Sequence, residues 1–470
     1  MTDARSRTGL LGFRPFRSAY SRQQILLWRE VIPFTWPILI EMTCVVLMGM
    51  ISTILVSRLG KSETAAVGIS DSVTYIIFSI QSAIALGGSV LIAQALGRRN
   101  REKSIDGARQ VMNLNVGFSL FSALLIVFSS EPLLEAIALG ADTEVKHLAE
   151  QYLRLIAMSY PALGVTLAGS GILRATGNTR LPMLINIGMN LLNILFSYPL
   201  IYGIAGWSGF GLSGAGVGVI MSRYIGAAVL LAYLAFTPEF RLTLRGYWQP
   251  FSRVILRDIL NIGIPASIES LMFNVGKLIT QLMVAGMGTV AMAGNVITFS
   301  LLLLINLPGN ALATTATILV GKRLGQQRPH VATSQLKMIF WLSTGLLTLL
   351  GLLSVPVAAQ LAGLYTQDQN VLHVVVQLLY LNALLMPVWA ASFVLPSGFK
   401  GARDAKFCMW TAIVSMWGCR ICCGYLFGIL LGWGVYGVWF GMFADWMIRG
   451  LIYFLRLLNG RWLKHSLAQP

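Results

Sequence analysis

Two glutamates stand within long apolar stretches of the chain and are the side chains best placed to do chemistry. Glu41 follows Pro37 by four residues and Glu269 follows Pro265 by four, so each carboxyl group lies one helical turn beyond a proline. An ionisable group in hydrocarbon is costly and is a functional candidate by default. We predict that both carboxyl groups bind and release protons. The structural alternative is a permanent hydrogen bond or ion pair.

Other polar side chains in the apolar stretches are candidates for contact with a substrate. Asp445 and Arg449 are four residues apart, which predicts an ion pair within one helix near the cytoplasmic membrane edge. Arg154 and Arg223 either snorkel, cap a helix end or contact the substrate. Buried amides hold helices together about as often as they line a pathway. The predicted substrate-cavity residues are Lys277, Arg420, Asn190, Asn193, Asn274, Asn295 and Trp389.

The elements that carry these residues are membrane-spanning helices. Hydrophobic residues make up 56% of the 470-residue chain and charged residues only 11%, with a mean hydropathy of +0.71. These values exclude an ordinary soluble surface, and a span takes roughly 20 apolar residues. The twelve predicted spans are 31–56, 71–96, 110–130, 151–173, 181–203, 213–236, 256–286, 289–320, 335–358, 373–399, 407–431 and 434–457.

The net charge of +17 follows from the topology of these spans. Lys and Arg residues crowd into alternate breaks, and the breaks between them hold few. The positive-inside rule then places both termini and the basic breaks in the cytoplasm. The charge therefore indicates topology, and we expect no nucleic-acid partner. The first thirty residues lack the apolar core and cleavage site of a signal peptide, so the first span is predicted to direct insertion.

No pattern in the chain indicates an enzyme, a metal site or a cofactor. The five cysteines all fall in apolar spans, where the simplest interpretation is small buried side chains. The four histidines lie away from other catalytic groups, and nothing resembles a phosphate-binding loop. We therefore expect that transport, if it occurs, is not driven by ATP.

The second half of the chain is a diverged copy of the first. The offset of 228 matches Glu41 with Glu269 and Gly60 with Gly288, and the offset of 226 matches Pro161 with Pro387. Each half has six spans, so the repeats are parallel and their pseudo-twofold axis runs along the membrane normal. Two such bundles enclose a cavity that can open to either face. A proline permits a bend, and the predicted hinges are Pro37, Pro265, Pro161 and Pro387.

The duplication divides the chain into two lobes and three flanking segments. The predicted boundaries are 1–30 for a cytoplasmic basic N-terminal segment, 31–236 for an N-lobe, 237–255 for a cytoplasmic inter-lobe loop, 256–457 for a C-lobe and 458–470 for a cytoplasmic tail. The predicted fold class is an all-α membrane protein with twelve transmembrane helices in two parallel-related six-helix lobes.

Three motifs resemble the multidrug and toxic compound extrusion (MATE) family of secondary antiporters. The most specific is Leu173-Arg-Ala-Thr-Gly-Asn-Thr-Arg-Leu-Pro182, and the others are Ile51-Ser-Thr-Ile-Leu-Val-Ser-Arg-Leu-Gly60 and Gln94-Ala-Leu-Gly97. The resemblance covers nearly the whole chain. It implies two six-helix lobes, export from the cytoplasm and coupling to inward H⁺ or Na⁺.

The coupling residues of the family's NorM-like branch are absent from this sequence. The three acids of that branch fall on Ser52, Phe273 and Trp389, none of which is acidic. Three further segments resemble a proteobacterial branch that includes flavin-nucleotide exporters. They are Gly398-Phe-Lys-Gly-Ala-Arg-Asp404, Met416-Trp-Gly-Cys-Arg420 and Gly441-Met-Phe-Ala-Asp-Trp446.

We therefore predict an exporter of small organic compounds in the bacterial cytoplasmic membrane. Bases outnumber acids within the spans, so the substrate is predicted to be anionic or neutral, with FMN-like or FAD-like planar anions as examples. The expected partners are small-molecule substrates and membrane lipid, and the expected functional unit is a monomer. Two alternatives remain at this point. One is a lipid-linked precursor flippase of the same superfamily, and the other is an integral-membrane scaffold or enzyme subunit.

Overall fold

The chain folds into long helices, because a backbone in hydrocarbon must satisfy its own hydrogen bonds. The computed structural model describes residues 14–137, 142–203, 208–237 and 251–464, with side chains from residue 28 onwards. The helices are α1 Arg14–Ser57, α2 Lys61–Gly97, α3 Arg101–Ile137, α4 Thr143–Met158, α5 Tyr160–Thr176, α6 Arg180–Tyr202, α7 Leu212–Phe236, α8 Arg253–Ala285, α9 Thr289–Ile305, α10 Leu307–Gly325, α11 Pro329–Ser354, α12 Ala358–Gly363, α13 Gln369–Gly401, α14 Ala405–Leu430 and α15 Gly434–Leu458.

Two of the spans are bent pairs of helices. Ten helices in the described ranges are long and apolar enough to cross a membrane, and two bent pairs bring the number of spans to twelve. Helix α4 meets α5 at 47° and α9 meets α10 at 50°. The all-α architecture with twelve spans in two lobes is confirmed, because the described residues contain no strand and the spans match the predicted segments.

The prolines predicted as hinges occupy different settings. Pro161 lies in the first turn of α5, directly after the break at Ser159. Its counterpart Pro387 lies inside α13, which continues past it to Gly401, and the prolines of α1 and α8 also lie inside continuous helices. The second break has Pro308 after it, a residue outside the predicted hinge set.

Some element boundaries differ from the sequence-based prediction. Helix α1 begins at Arg14, within the segment predicted to precede the first span, because a helix can continue into water beyond the apolar run that marks the membrane. The short helix α12 lies in a predicted break. Helix α14 contains two π-helical segments, Met416–Ile421 and Leu426–Leu430. Residues 238–250 of the predicted loop 237–255 and residues 465–470 of the predicted tail 458–470 lie outside the described residues.

The two halves form two lobes that meet along central helices. Helices α1 to α7 make the first lobe and α8 to α15 the second. Between the lobes, α2 packs against α8 and α10, and α1 packs against α10. Counterpart loops share their backbone conformation: Arg99 and Gln327 have φ of 58° and 57°. The structure thus repeats locally as the offsets predict.

Small residues bring the lobes together at one end of the bundle. This end carries the loops 98–100, 177–179, 326–328 and 402–404, and we call it the basic end. A Cβ atom on Gly97 would stand 2.4 Å from the carbonyl oxygen of Lys322, and one on Gly325 would stand 2.2 Å from that of Gln94. Any side chain larger than hydrogen would therefore push α2 and α10 apart there.

Candidate functional site

The carboxyl group of Glu41 lies buried in the first lobe and is held by a base and an amide. Arg174 Nη2 is 2.5 Å from Glu41 Oε1, and Asn186 Nδ2 donates to the same oxygen at 2.8 Å. Glu41 Oε2 makes no hydrogen bond within the described part of the chain. Arg174 comes from the last turn of α5 and also lines a cavity of about 520 Å³ at the basic end. The carboxyl group is therefore linked through its base to that end.

The second lobe holds an equivalent acid and base. Lys400 Nζ is 2.8 Å from Glu269 Oε2, and both side chains are largely buried. The two residues line a cavity of about 240 Å³ inside this lobe. Its wall also includes Asn310, Phe273, Phe393, Ser392, Ser397 and Arg449. The cavity therefore offers charged groups, an amide, hydroxyl groups and aromatic faces to a small molecule.

The two ion pairs are related by the duplication. Glu269 follows Glu41 by 228 positions, and Lys400 follows Arg174 by 226. In each lobe an acid from the first helix meets a base from the end of the fourth span. Sequence reasoning paired the two acids and matched the breaks that contain Arg174 and Lys400, but it gave these two bases no role in a site. The signal was present in the second offset, which matches these two bases.

Three charged residues form a buried cluster beside the second-lobe cavity. Asp445 Oδ2 is 3.5 Å from Arg449 Nη2 and 3.6 Å from Arg420 Nε, and Ser415 donates to Asp445 Oδ1 at 2.6 Å. The predicted pair of Asp445 with Arg449 is present. Its predicted place near the cytoplasmic membrane edge is wrong, because Asp445 lies at the middle of α15 and Arg420 shares its charge. Two bases thus face one acid.

The aromatic side chains of the cavity connect it to this cluster. The guanidinium of Arg449 lies 4.7 Å from the ring centre of Phe393, and that of Arg420 lies 5.3 Å from the ring centre of Phe273. Nε of Arg449 makes no hydrogen bond to any described group, and Nη2 has only the ion pair with Asp445 at 3.5 Å. Arg449 therefore has donors to spare where it borders the cavity.

The predicted amides of α6 and α8 lie along the half-buried faces of those helices. Asn190 Nδ2 is buried and has no hydrogen-bond partner among the described residues. Asn193 accepts from Ser197 Oγ at 2.9 Å, and Asn274 donates to the carbonyl oxygen of Ser270 at 2.8 Å. The amide that contacts Glu41 is Asn186, one turn before Asn190 and outside the predicted cavity set.

Two of the predicted cavity residues, both in the second lobe, lie within helix packing in this structure. Asn295 is 3% exposed and accepts from Trp439 Nε1 at 2.9 Å, so it joins α9 to α15. Trp389 is 3% exposed and stacks on Phe393, with ring centres 4.5 Å apart. Both side chains are enclosed by helix packing, which a sequence pattern cannot distinguish from a cavity wall. Lys277 is exposed outside this cavity, with its Nζ 5.1 Å from the ring centre of Phe299.

Arg154 and Arg223, for which the sequence allowed either a structural role or contact with a substrate, have structural partners in the first lobe. Arg154 pairs with Glu150 at 2.6 Å and donates through Nε to Ser130 at 2.8 Å. Arg223 donates through Nη1 to Ser159 Oγ at 2.7 Å, at the break between α4 and α5. Arg154 therefore ties α4 to α3, and Arg223 supports the break.

Acids at equivalent positions of the first long helix of each lobe close the basic end. Glu30 pairs with Arg323 and, at 3.6 Å, with Lys322 of the second lobe. Asp258, which follows Glu30 by 228 positions, is 3.7 Å from Lys103 of the first lobe and 3.2 Å from Arg403. Burial lowers the pKa of the Arg403 guanidinium, and Asp258 opposes that shift.

Hydrogen bonds between the lobes extend the closure towards mid-membrane. Gln94 donates to the carbonyl oxygen of Gly401 at 2.9 Å, and Ser79 Oγ is 2.6 Å from Ser270 Oγ. These hydrogen bonds, the one between Thr35 and Thr315, and the ion pairs of Glu30 and Asp258 lie between these serines and the basic end. The lobes are therefore joined at the basic end.

The chain matches one family model twice. The MatE family model matches residues 37–199 and 265–426. The two matches begin at Pro37 and Pro265, the prolines related by the offset of 228, so the duplication is confirmed.

Similar proteins extend along nearly the whole chain. An uncharacterized transporter of Bacillus subtilis, YisQ, is 28% identical over 93% of this chain and 96% of its own length. A probable multidrug resistance protein NorM of Thermotoga maritima is 25% identical over 93% and 94%. The structure of a MOP superfamily transporter from Pyrococcus furiosus has the same fold, with a TM-score of 0.85 at 22% identity over 94% and 96% of the two chains.

Proposed function

Because the chain belongs to the MatE family, we propose that it is a secondary antiporter that exports small organic compounds across the bacterial cytoplasmic membrane. Membership confirms the resemblance to the MATE family seen in the motifs. The similar NorM protein is named for probable multidrug resistance, which supports export as the direction of transport. In this proposal the basic end faces the cytoplasm, both termini lie on that side, and the monomer is the functional unit.

The twin ion pairs carry the proposal for coupling. Glu41 with Arg174 and Glu269 with Lys400 place one acid and one base at equivalent positions of the two lobes. A proton on either carboxyl group removes its charge and weakens the attraction to the base. The base then becomes free to contact a substrate or to move with the helix that carries it. H⁺ is therefore the proposed coupling ion, and Glu41 and Glu269 are the proposed protonation sites.

The cavity of about 240 Å³ in the second lobe is the proposed substrate contact. Lys400, Arg449 and Glu269 line it, and Arg420 and Asp445 stand behind Arg449, so these five residues carry one net positive charge. Aromatic faces of Phe273 and Phe393 stand beside these bases. This environment favours a planar compound with an anionic group, and flavin nucleotides are a plausible example.

Alternating access follows from the joined basic end. The interlobe bonds at this end hold the cavity shut towards the proposed cytoplasmic side. Release of these bonds and approach of the lobes at the opposite end would expose the cavity to the cytoplasm. The parallel duplication supports such rocking, because it places two similar rigid bundles on either side of one axis.

Gradient-driven transport in proteoliposomes tests the coupling assignment. An imposed inward pH gradient should drive substrate movement in the wild type, and Glu41→Gln and Glu269→Gln should each reduce it to background. The control is Glu135→Gln, an exposed acid at the opposite end of α3, which should transport normally. Full activity in both the Glu41→Gln and the Glu269→Gln variant, or a response only to a Na⁺ gradient, overturns the assignment.

Export from whole cells tests the substrate class. Overexpression should raise the flavin content of the medium, and Arg449→Gln should abolish that increase while a cationic dye accumulates as in control cells. Efflux of the dye without any flavin export would contradict an anionic substrate.

A further inference from the structure

A groove of about 880 Å³ lies on the side of the bundle, outside the transport cavity. Its long wall is formed by α11 of the second lobe, and Trp28 of α1 in the first lobe closes one side. The groove faces the membrane, since Trp341 in its wall is 63% exposed and Leu349 is 53% exposed. It therefore opens sideways at the seam between the lobes.

The groove changes from polar to apolar along α11. His330, Thr333, Ser334 and Lys337 line the half nearest the basic end. Residues from Met338 to Leu349 line the other half with Trp and aliphatic side chains and with one glycine. The polar half thus stands at headgroup level and the apolar half within hydrocarbon.

The length of the apolar half matches one leaflet of a bilayer. Twelve residues separate Lys337 from Leu349, and a helix rises about 1.5 Å per residue, so this half is about 18 Å long. Half of the hydrocarbon core is about 15 Å thick. The groove is therefore long enough for one acyl chain and ends near the bilayer midplane.

The charge of the polar half selects the headgroup. Lys337 is exposed and forms no ion pair with any carboxylate in the described ranges. His330, Thr333 and Ser334 add hydrogen-bonding groups without negative charge. A phosphate group with no compensating positive charge fits this set better than a zwitterionic headgroup does.

We propose that this groove binds one anionic phospholipid from the leaflet at the basic end. Its phosphate lies at Lys337 and His330, and one acyl chain runs along Trp341 and Gly345. The lipid contacts both lobes, because Trp28 belongs to α1 and the remaining wall to α11. This inference is independent of the transported substrate.

Native mass spectrometry of the full chain, released from nanodiscs of mixed phosphatidylglycerol and phosphatidylethanolamine, tests the proposal. The wild type should retain one phosphatidylglycerol. Lys337→Gln should lower the affinity for phosphatidylglycerol about fivefold, the factor given by roughly 1 kcal/mol per basic side chain near an anionic surface, as measured from occupancy over a series of phosphatidylglycerol fractions. Lys464→Gln, an exposed lysine at the basic end outside the groove, should leave occupancy unchanged.

A second variant fills the groove without disturbing helix packing. A Cβ atom on Gly345 would meet no heavy atom within 4 Å, so Gly345→Phe should fold and displace the acyl chain. Gly117→Phe is the matched control, because Gly117 also has open space and lies on α3 away from the groove. Unchanged lipid occupancy in both groove variants, equal retention of phosphatidylethanolamine, or a second copy of the chain in place of lipid would overturn the proposal.

Discussion

The two buried acids differ from isolated carboxyl groups because each has one base within contact distance. Glu41 meets Arg174 and Glu269 meets Lys400, so each lobe holds a neutral pair when the acid is charged. Breaking such a pair from one side leaves an uncompensated charge in a poorly solvated place. A proton on the acid leaves the base as the unpaired charge, which favours movement of the base towards water or an anionic group. The arrangement therefore links protonation to freedom of the base.

Loss of the base alone should destabilise the protein. Arg174→Gln leaves Glu41 buried without its partner, and we expect a loss of about 3 kcal/mol, the low end for a buried pair because the Arg174 side chain is 22% exposed. Thermal unfolding in detergent measures the change. The double variant Glu41→Gln with Arg174→Gln should recover most of the loss, since no charge is then left unpaired. A single variant as stable as the wild type would show that the pair is dispensable.

Sequence predicted these acids but not their surroundings, for a physical reason. The cost of a charge in hydrocarbon marks Glu41 and Glu269 in any apolar run. The base of each pair comes from a loop end far away in the chain, where a positive charge is expected from topology alone. Asn295 and Trp389 were predicted as cavity residues and are packed between helices. Residue type alone does not reveal whether a side chain borders a cavity or a neighbouring helix.

At the scale of elements, the two halves repeat their spans, but the bends within those spans fall at different places. The fourth span of the first lobe is broken before Pro161, whereas its counterpart continues through Pro387. The second span of the second lobe is broken before Pro308, and the matching position in α2 is Ile80. A proline thus permits a break, and local packing decides whether it occurs. Hydropathy predicted the twelve spans because apolar composition determines which segments lie in hydrocarbon. Composition does not determine where a span bends.

The ends of α2 and α10 should control closure of the basic end. Gly325→Val places a Cβ atom 2.2 Å from the carbonyl oxygen of Gln94, so the helix ends must separate. In a background without native cysteines, Thr315→Cys should then react faster with a membrane-impermeant maleimide added at the basic end. Gly117→Val, in open space, is the control and should leave the labelling rate unchanged. Equal rates in all three proteins would argue against glycine contact as the seal.

At the scale of the whole molecule, transport requires the joined end to open. The lobes are held from Ser79 and Ser270 near mid-membrane down to Glu30 and Asp258 at the basic end. Each individual hydrogen bond contributes modestly, about 1 kcal/mol. The interlobe bonds are spread along one seam between two rigid lobes. Because the lobes move as units, all of these bonds must break when the lobes rock.

A covalent link across the seam should stop the cycle. The hydroxyl oxygens of Ser79 and Ser270 are 2.6 Å apart, so cysteines at both positions are within reach of a disulfide. Oxidation of the double variant in a cysteine-free background should abolish transport, and a reductant should restore it. Each single variant provides the control under the same oxidant. Continued transport by the fully cross-linked protein would exclude rocking about this seam.

The contacts of Gly97 and Gly325 also record how the molecule arose. Gly97 lies against Lys322, and Gly325 lies against Gln94, whose positions are themselves 228 apart, so the same contact occurs twice with the partners exchanged. That is the pattern of an isologous homodimer interface, here enclosed within a single polypeptide. Fusion has since let the copies diverge: Gly87 approaches Gly263 on one side of the axis, and the corresponding contact on the other side is a hydrogen bond between Thr35 and Thr315.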